Sequence, residues 1–128
     1  MKLLWHTFTD HRPRLKPWSV FIVDRITYKG LTAWDGLTIP DAREILIRRG
    51  TAERMIEVHG HELSHVIRDG SDHPSAIADY HREILDAVDE YAARRAECAL
   101  WPVMASFGAQ IPPFPPGFKP KRQRKQGP

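Results

Sequence analysis

The sequence is poor in the features that mark secreted and membrane proteins. It contains a single cysteine, Cys98, among 128 residues, so no internal disulfide can form and a reducing compartment is indicated. No apolar run approaches the roughly 20 residues that a membrane-spanning helix requires. The first residues, MKLLWHTFTDHR, are too polar and their apolar stretch is too short for a secretory signal. We therefore expect a cytoplasmic protein, in the producing cell or its host, that does not bind membranes.

Acidic residues are absent from the C-terminal end of the chain. Residues 117–128 contain five lysines and arginines, and removing these five charges from the formal net charge of +3 leaves −2 for the rest. The positive charge is therefore a property of the tail. Because residues 111–128 are also rich in proline, we expect a disordered Pro-rich basic tail after one domain at residues 1–110. That length supports one modest hydrophobic core.

The first half of the chain predicts a small sheet. Residues 18–24 are rich in β-branched and aromatic side chains, which favours a strand. A second strand is predicted at residues 42–48, ended by Arg49-Gly50. A further short strand is indicated at Leu3–Phe8. The segment Leu31–Trp34 lies between a Lys-Gly and an Asp-Gly turn signal, and is predicted to be an edge strand.

A helix is predicted from Thr51, a suitable N-cap, to Gly70, a suitable C-terminal stop. It contains the sequence His61-Glu62-Leu63-Ser64-His65. On a helix, His61 and His65 lie one turn apart on the same face and can bring two imidazole nitrogens to one metal ion. Glu62 projects about 100° round from His61, where it can take a proton from a metal-bound water. The pattern predicts a Zn²⁺ site with Glu62 as the catalytic base.

A second, longer helix is predicted from Ser75 to about Trp101. Its apolar residues at helical spacing are Ile77, Ile84, Val88, Tyr91, Ala92 and Ala99, and its opposite face carries Asp79, Asp86, Glu90, Ala93 and Glu97. The expected fold is a minimal zincin-like α+β domain, in which a small, mostly antiparallel sheet packs on the two helices. The strand ahead of the first helix, Glu44–Arg48, is expected to lie beside an extended substrate.

The third zinc ligand is expected to come from the second helix, since a catalytic zinc usually has three protein ligands. If a short loop joins two antiparallel helices, equal rise from the loop places residues 80–84 opposite the two histidines. Glu83 lies in this window and is the first choice. His81 lies in the same window, while Asp89 and Glu90 would need a longer connection or another helix register.

The strand Glu44–Arg48, the His61–His65 sequence and the later Val88-Asp89-x-x-Ala-Ala-Arg-Arg95 together resemble the ImmA/IrrE-like metallopeptidases. The resembling variant is common in actinobacteria and their phages, and the resemblance covers roughly residues 15–105. It implies a gluzincin-like zinc peptidase that cleaves a regulatory protein, such as a phage or mobile-element repressor. By this resemblance, His61 and His65 match the family's ligands and Glu62 matches its base.

The resemblance leaves the third ligand open. Counting from the Val-Asp pair, the position of the family's glutamate is Leu85 here, two residues from Glu83. Anchoring on Leu100-Trp101-Pro102 points to Asp89 instead.

Two other classes of function fit the same residues. A non-catalytic zinc-binding interaction protein could contact nucleic acid through the cationic tail, with Phe114 and Phe118 stacking on bases. A closed four-ligand site that included His73 or His81 would make the zinc purely structural.

Overall fold

The computed structural model describes residues 1–10, 12–69 and 79–123, with the backbone alone for residues 68, 69 and 79–86. The elements are β1 (Lys2–Phe8), β2 (Trp18–Val23), β3 (Gly36–Ile39), β4 (Glu44–Arg48), α1 (Ala52–Asp69) and α2 (Asp79–Ser106). The predicted α+β class is confirmed. The predicted helix start at Ser75 and the alternative ligand His73 lie outside the described residues.

The four strands form one mixed sheet in the order β1-β2-β4-β3. The pairings of β1 with β2 and of β3 with β4 are antiparallel, whereas β2 and β4 are parallel. Because β4 has a neighbour on both sides, the expectation that Glu44–Arg48 lies beside the substrate is wrong. The strand at that edge of the sheet is β3.

The position of β3 differs from the predicted edge strand. Leu31 forms only an isolated bridge with Tyr28, and the strand begins at Gly36. A Cβ atom on Gly36 would lie 2.6 Å from Val58 Cγ1 and 2.8 Å from Glu62 Oε1. Residue 36 is therefore glycine because β3 approaches α1 closely at this position, and not because a turn requires it.

The core lies between the sheet and α1, and α2 packs on the opposite side of α1. Alternate residues of β2 and β4 point into it, as expected for strands with one face covered by a helix. The fully buried members are Trp18, Val20, Ile22, Ile45, Ile47 and Met55. None of the described helices has the length and apolarity needed to cross a membrane.

The face of α2 that packs on α1 is not the predicted apolar face. Val88 and Tyr91 are 57% and 65% exposed, while Ala93 is fully buried. The helices meet closely at Gly60, where a Cβ atom would lie 3.3 Å from the carbonyl oxygen of Ala96. Small residues at this crossing let the two backbones approach, and this contact turns the polar face of α2 towards α1.

Residues 111–123 pack on the domain, which differs from the predicted disorder of the tail. Phe114 and Phe118 lie half-buried against the core, and the ring of Phe114 is 4.9 Å from that of Trp5. The backbone N–H of Lys121 donates to the carbonyl of Gly50 at 2.8 Å. The apolar area of the two phenylalanines accounts for this packing, and it leaves less ring surface for stacking on bases.

Replacing Phe114 by alanine tests whether this segment belongs to the core. A fully buried Phe→Ala change costs about 3–5 kcal/mol, so we expect a loss of about 2 kcal/mol for this half-buried ring. Phe107→Ala is the matched control, because Phe107 is 87% exposed and surface changes stay within about 0.5 kcal/mol. Urea unfolding of both variants measures the difference. Equal, small effects would show that the segment does not pack in solution.

Candidate metal centre

His61 and His65 of α1 converge on Glu90 of α2. His61 Nε2 lies 3.2 Å from Glu90 Oε1, and His65 Nε2 lies 3.3 Å from Glu90 Oε2. One ligand atom from each of the three residues falls within 4.8 Å of the others. The i, i+4 spacing thus brings the two histidines together, and the carboxylate that meets them is one of the alternatives left open by the sequence.

The separations match those of ligands around a tetrahedral ion. Zinc bonds of about 2.0–2.2 Å at tetrahedral angles place the ligand atoms roughly 3.3–3.5 Å apart. The two distances from imidazole nitrogen to carboxylate oxygen are 3.2 and 3.3 Å. The group is therefore of a size that could hold a metal ion.

The other nitrogen of each imidazole contacts a second carboxylate. His61 Nδ1 lies 2.6 Å from Glu97 Oε1, and His65 Nδ1 lies 2.6 Å from Asp89 Oδ2. Since an ionised carboxylate only accepts, each neutral ring carries its proton on Nδ1 and presents a lone pair at Nε2. A metal ion between these two lone pairs and the Glu90 carboxylate would be bound by all three groups. Carboxylate–histidine–metal arrangements have this chemistry.

Glu97 was predicted to lie on the outer face of α2, but its side chain is only 22% exposed. Besides His61, it contacts Arg54 Nη1 at 3.2 Å, and Arg54 Nη2 contacts Asp35 at 3.0 Å. Glu90 and Glu97 are seven residues apart, which is two helical turns, so they share a face of α2. That spacing was visible in the sequence. The contact of this face with α1 was not, because it depends on the close approach at Gly60.

Glu62 lies beside the two histidines and is 5% exposed. The hydroxyl of Thr38 in β3 donates to Glu62 Oε2 at 2.6 Å. Burial raises the pKa of Glu62 above its ordinary value, although the Thr38 hydrogen bond acts in the opposite direction. The carboxylate predicted to be the base is thus held between the histidines and the edge strand. Thr38 was not identified from the sequence, because β3 was predicted elsewhere.

Glu83 and His81 lie in the backbone of α2, but their side chains are outside the described part of the chain. Glu83 as a ligand therefore stays a prediction. Its position is two turns from Glu90, or about 10.5 Å along the helix axis.

His59 takes no part in the group formed by His61, His65 and Glu90. It is 2% exposed, and burial, followed by the neighbouring His6, lowers its pKa to about 3. The indole N–H of Trp101 donates to His59 Nδ1 at 3.1 Å, and His59 Nε2 lies 2.8 Å from His6 Nε2. His59 is thus a neutral histidine that links β1, α1 and α2.

No protein-family model, no curated protein and no solved structure matches this chain. The class of the site is therefore defined by its geometry. Two imidazoles and a carboxylate surround one point, and a second, buried carboxylate lies beside them.

Proposed function

We propose that this protein is a zinc-dependent metallopeptidase in which His61, His65 and Glu90 bind the metal and Glu62 is the general base. The observation that carries the proposal is the convergence of both Nε2 atoms on Glu90 while carboxylates hold both Nδ1 atoms. Two imidazoles and one carboxylate are the ligand set of several catalytic zinc sites. Glu90 thereby takes the role for which Glu83 was the first choice.

The residues around the ligands suit peptide hydrolysis. A bound zinc ion supplies a Lewis acid that polarises the scissile carbonyl and lowers the pKa of water. Glu62 accepts the proton of the attacking water and passes it to the leaving amine. Thr38 fixes the direction of the Glu62 carboxylate through its 2.6 Å hydrogen bond, so the base is oriented before the substrate arrives.

The edge of β3 is the surface on which a substrate would bind. A peptide can add to an edge strand through main-chain hydrogen bonds, and β3 is the terminal strand of the sheet. Because Thr38 of this strand contacts Glu62, a peptide along β3 passes close to the base. The resemblance to the ImmA/IrrE-like family supports a cytoplasmic regulatory protein, such as a repressor, as the substrate.

One observation favours catalysis over a purely structural zinc. A buried carboxylate that binds no metal, such as Glu62, costs stability unless it is paired. A role as the base accounts for its position beside the ligands.

The proposal is tested by measuring zinc content and proteolytic activity on the same protein, before and after the metal is removed. We expect one zinc ion per purified chain and slow cleavage of an unfolded protein substrate. A zinc chelator should abolish cleavage, and one equivalent of Zn²⁺ should restore it. A folded, metal-free protein that does not take up Zn²⁺ would refute the site. One zinc per chain without cleavage of any substrate would support the non-catalytic alternative.

A further inference from the structure

A cationic cavity lies at the start of α1, next to the candidate centre. Its volume is about 270 Å³, and its lining includes Arg48, Arg49, Arg54 and Lys121 together with Asp35 and Val58. Lys121 reaches it from the C-terminal segment, whose backbone is bound to Gly50. Part of the basic tail is thus built into the domain, where it adds a positive charge to a concave surface.

Two of the four cations have no acidic partner among the side chains that the structure describes. Arg48 and Arg54 both bind Asp35, and Arg54 also binds Glu57 and Glu97. Arg49 instead donates from Nε and Nη2 to the carbonyl of Lys119, at 3.0 and 2.8 Å. With the described side chains, those of residues 1–10, 12–67 and 87–123, neither Arg49 nor Lys121 forms an ion pair. The cavity therefore offers two positive charges to an incoming anion.

The cavity adjoins the edge strand on which a substrate would bind. Asp35 immediately precedes β3, and Val58 lies against Gly36, one helical turn before Glu62. The three residue steps from Asp35 to Thr38 span about 10 Å in extended backbone. A peptide along β3 would thus bring a side chain to the cavity two or three residues from the bond that faces Glu62.

We propose that this cavity binds an acidic side chain of the substrate, so that the protein selects peptides with Asp or Glu two or three residues from the scissile bond. The inference rests on the proposed peptidase function, since it assigns the cavity to the substrate of the same site. Arg49 and Lys121 are the specificity-determining residues. A guanidinium and an ammonium group both form charge-assisted hydrogen bonds with a carboxylate.

The size and position of the cavity favour a peptide over a nucleic acid. A volume of about 270 Å³ accommodates one side chain, whereas a nucleic-acid strand is bound by a row of cations along its phosphates. The cavity is also at the end of β3, where main-chain hydrogen bonds are offered to a peptide.

The test compares blocked hexapeptides that carry one Asp at successive positions with the same peptides carrying Asn. Binding to the full-length Glu62→Gln variant, with or without zinc, is followed by the backbone amide signals of Gly50 and Thr51. We expect Asp peptides to bind roughly tenfold more tightly than Asn peptides. The difference should disappear in Arg49→Gln/Lys121→Gln. It should persist in Arg14→Gln/Lys16→Gln, which removes the same charge from exposed positions outside the cavity.

Cleavage by the wild-type chain separates this inference from the proposed function. Cleavage sites without an acidic preference would overturn the inference and leave the peptidase function standing. Preferential binding of Asp peptides without any cleavage would support the anion site and refute the peptidase.

Equal binding of Asp and Asn peptides, or a preference that survives in Arg49→Gln/Lys121→Gln, would overturn the inference. Displacement of the Asp peptide by a lower concentration of single-stranded DNA would also overturn it. Lys121→Gln alone, on an exposed side chain, gives the same comparison if the double variant is unstable.

Discussion

Glu62→Gln is expected to retain one zinc ion per chain and to lower kcat/KM for peptide hydrolysis by about 10²–10⁴. Glutamine has nearly the shape of glutamate and can still accept the hydrogen bond from Thr38, so the fold and the three ligands are preserved. It cannot take a proton from water at neutral pH. Zinc content and initial rates, measured on the same preparations, test the result.

The matched control for this variant is Glu53→Gln. Glu53 lies in the first turn of the same helix and is exposed, so the chemical change is identical but remote from the ligands. Its kcat/KM should stay within a factor of about two, since the loss of one exposed helix-terminal charge costs only about 0.3–1 kcal/mol of stability. Hydrolysis at the wild-type rate in Glu62→Gln would remove Glu62 from the mechanism.

Glu90→Ala is expected to abolish stoichiometric zinc binding and, with it, hydrolysis. The change removes one of three ligand groups and leaves His61 and His65 without their common carboxylate partner. We expect zinc affinity to fall by more than the 10–100-fold that is typical when an outer hydrogen-bond partner of a ligand is lost. Zinc titration in competition with a chelator of known affinity measures the change.

Two further variants test whether a loss of zinc in Glu90→Ala is due to the loss of a ligand. Asp89→Asn weakens the acceptor of the His65 Nδ1–H bond without removing a ligand, so its zinc affinity should fall by about 10–100-fold. Glu83→Ala should keep its zinc, because Glu83 is two turns from Glu90 on α2. The reverse pattern, with zinc lost in Glu83→Ala and kept in Glu90→Ala, would establish Glu83 as the ligand and a different register between the helices.

The parts of the site that depend on local geometry could be predicted from the order of the residues alone. The spacing of His61 and His65 fixes both on one face of any α-helix, and the cap at Thr51 fixes where that helix begins. The two central strands, β2 and β4, were also predicted from local sequence, because each contains at least two β-branched residues, which favour extended backbone. For these elements, local sequence was sufficient to predict the conformation.

The carboxylate that meets the two histidines was not predictable in the same way, because its identity depends on how far one helix is shifted along another. Equal rise from a short loop pointed to Glu83. The observed register follows from the contact of Gly60 with Ala96, which places Glu97 near His61 and Glu90 between the two histidines. This register also directs towards α1 the face of α2 that the sequence pattern predicts to be solvent-exposed. The carboxylates of that face therefore contact the imidazoles of α1.

The edge strand and the cationic cavity were likewise decided by tertiary structure. Position 36 requires glycine because a Cβ atom there would collide with Val58 and Glu62, which are distant in sequence. Lys121 enters the cavity because Phe114 and Phe118 bury apolar surface on the core and carry the chain back to the start of α1. A sequence pattern predicts the local conformation of its own segment. The positions of β3 and Lys121 depend instead on packing against segments that are distant in sequence.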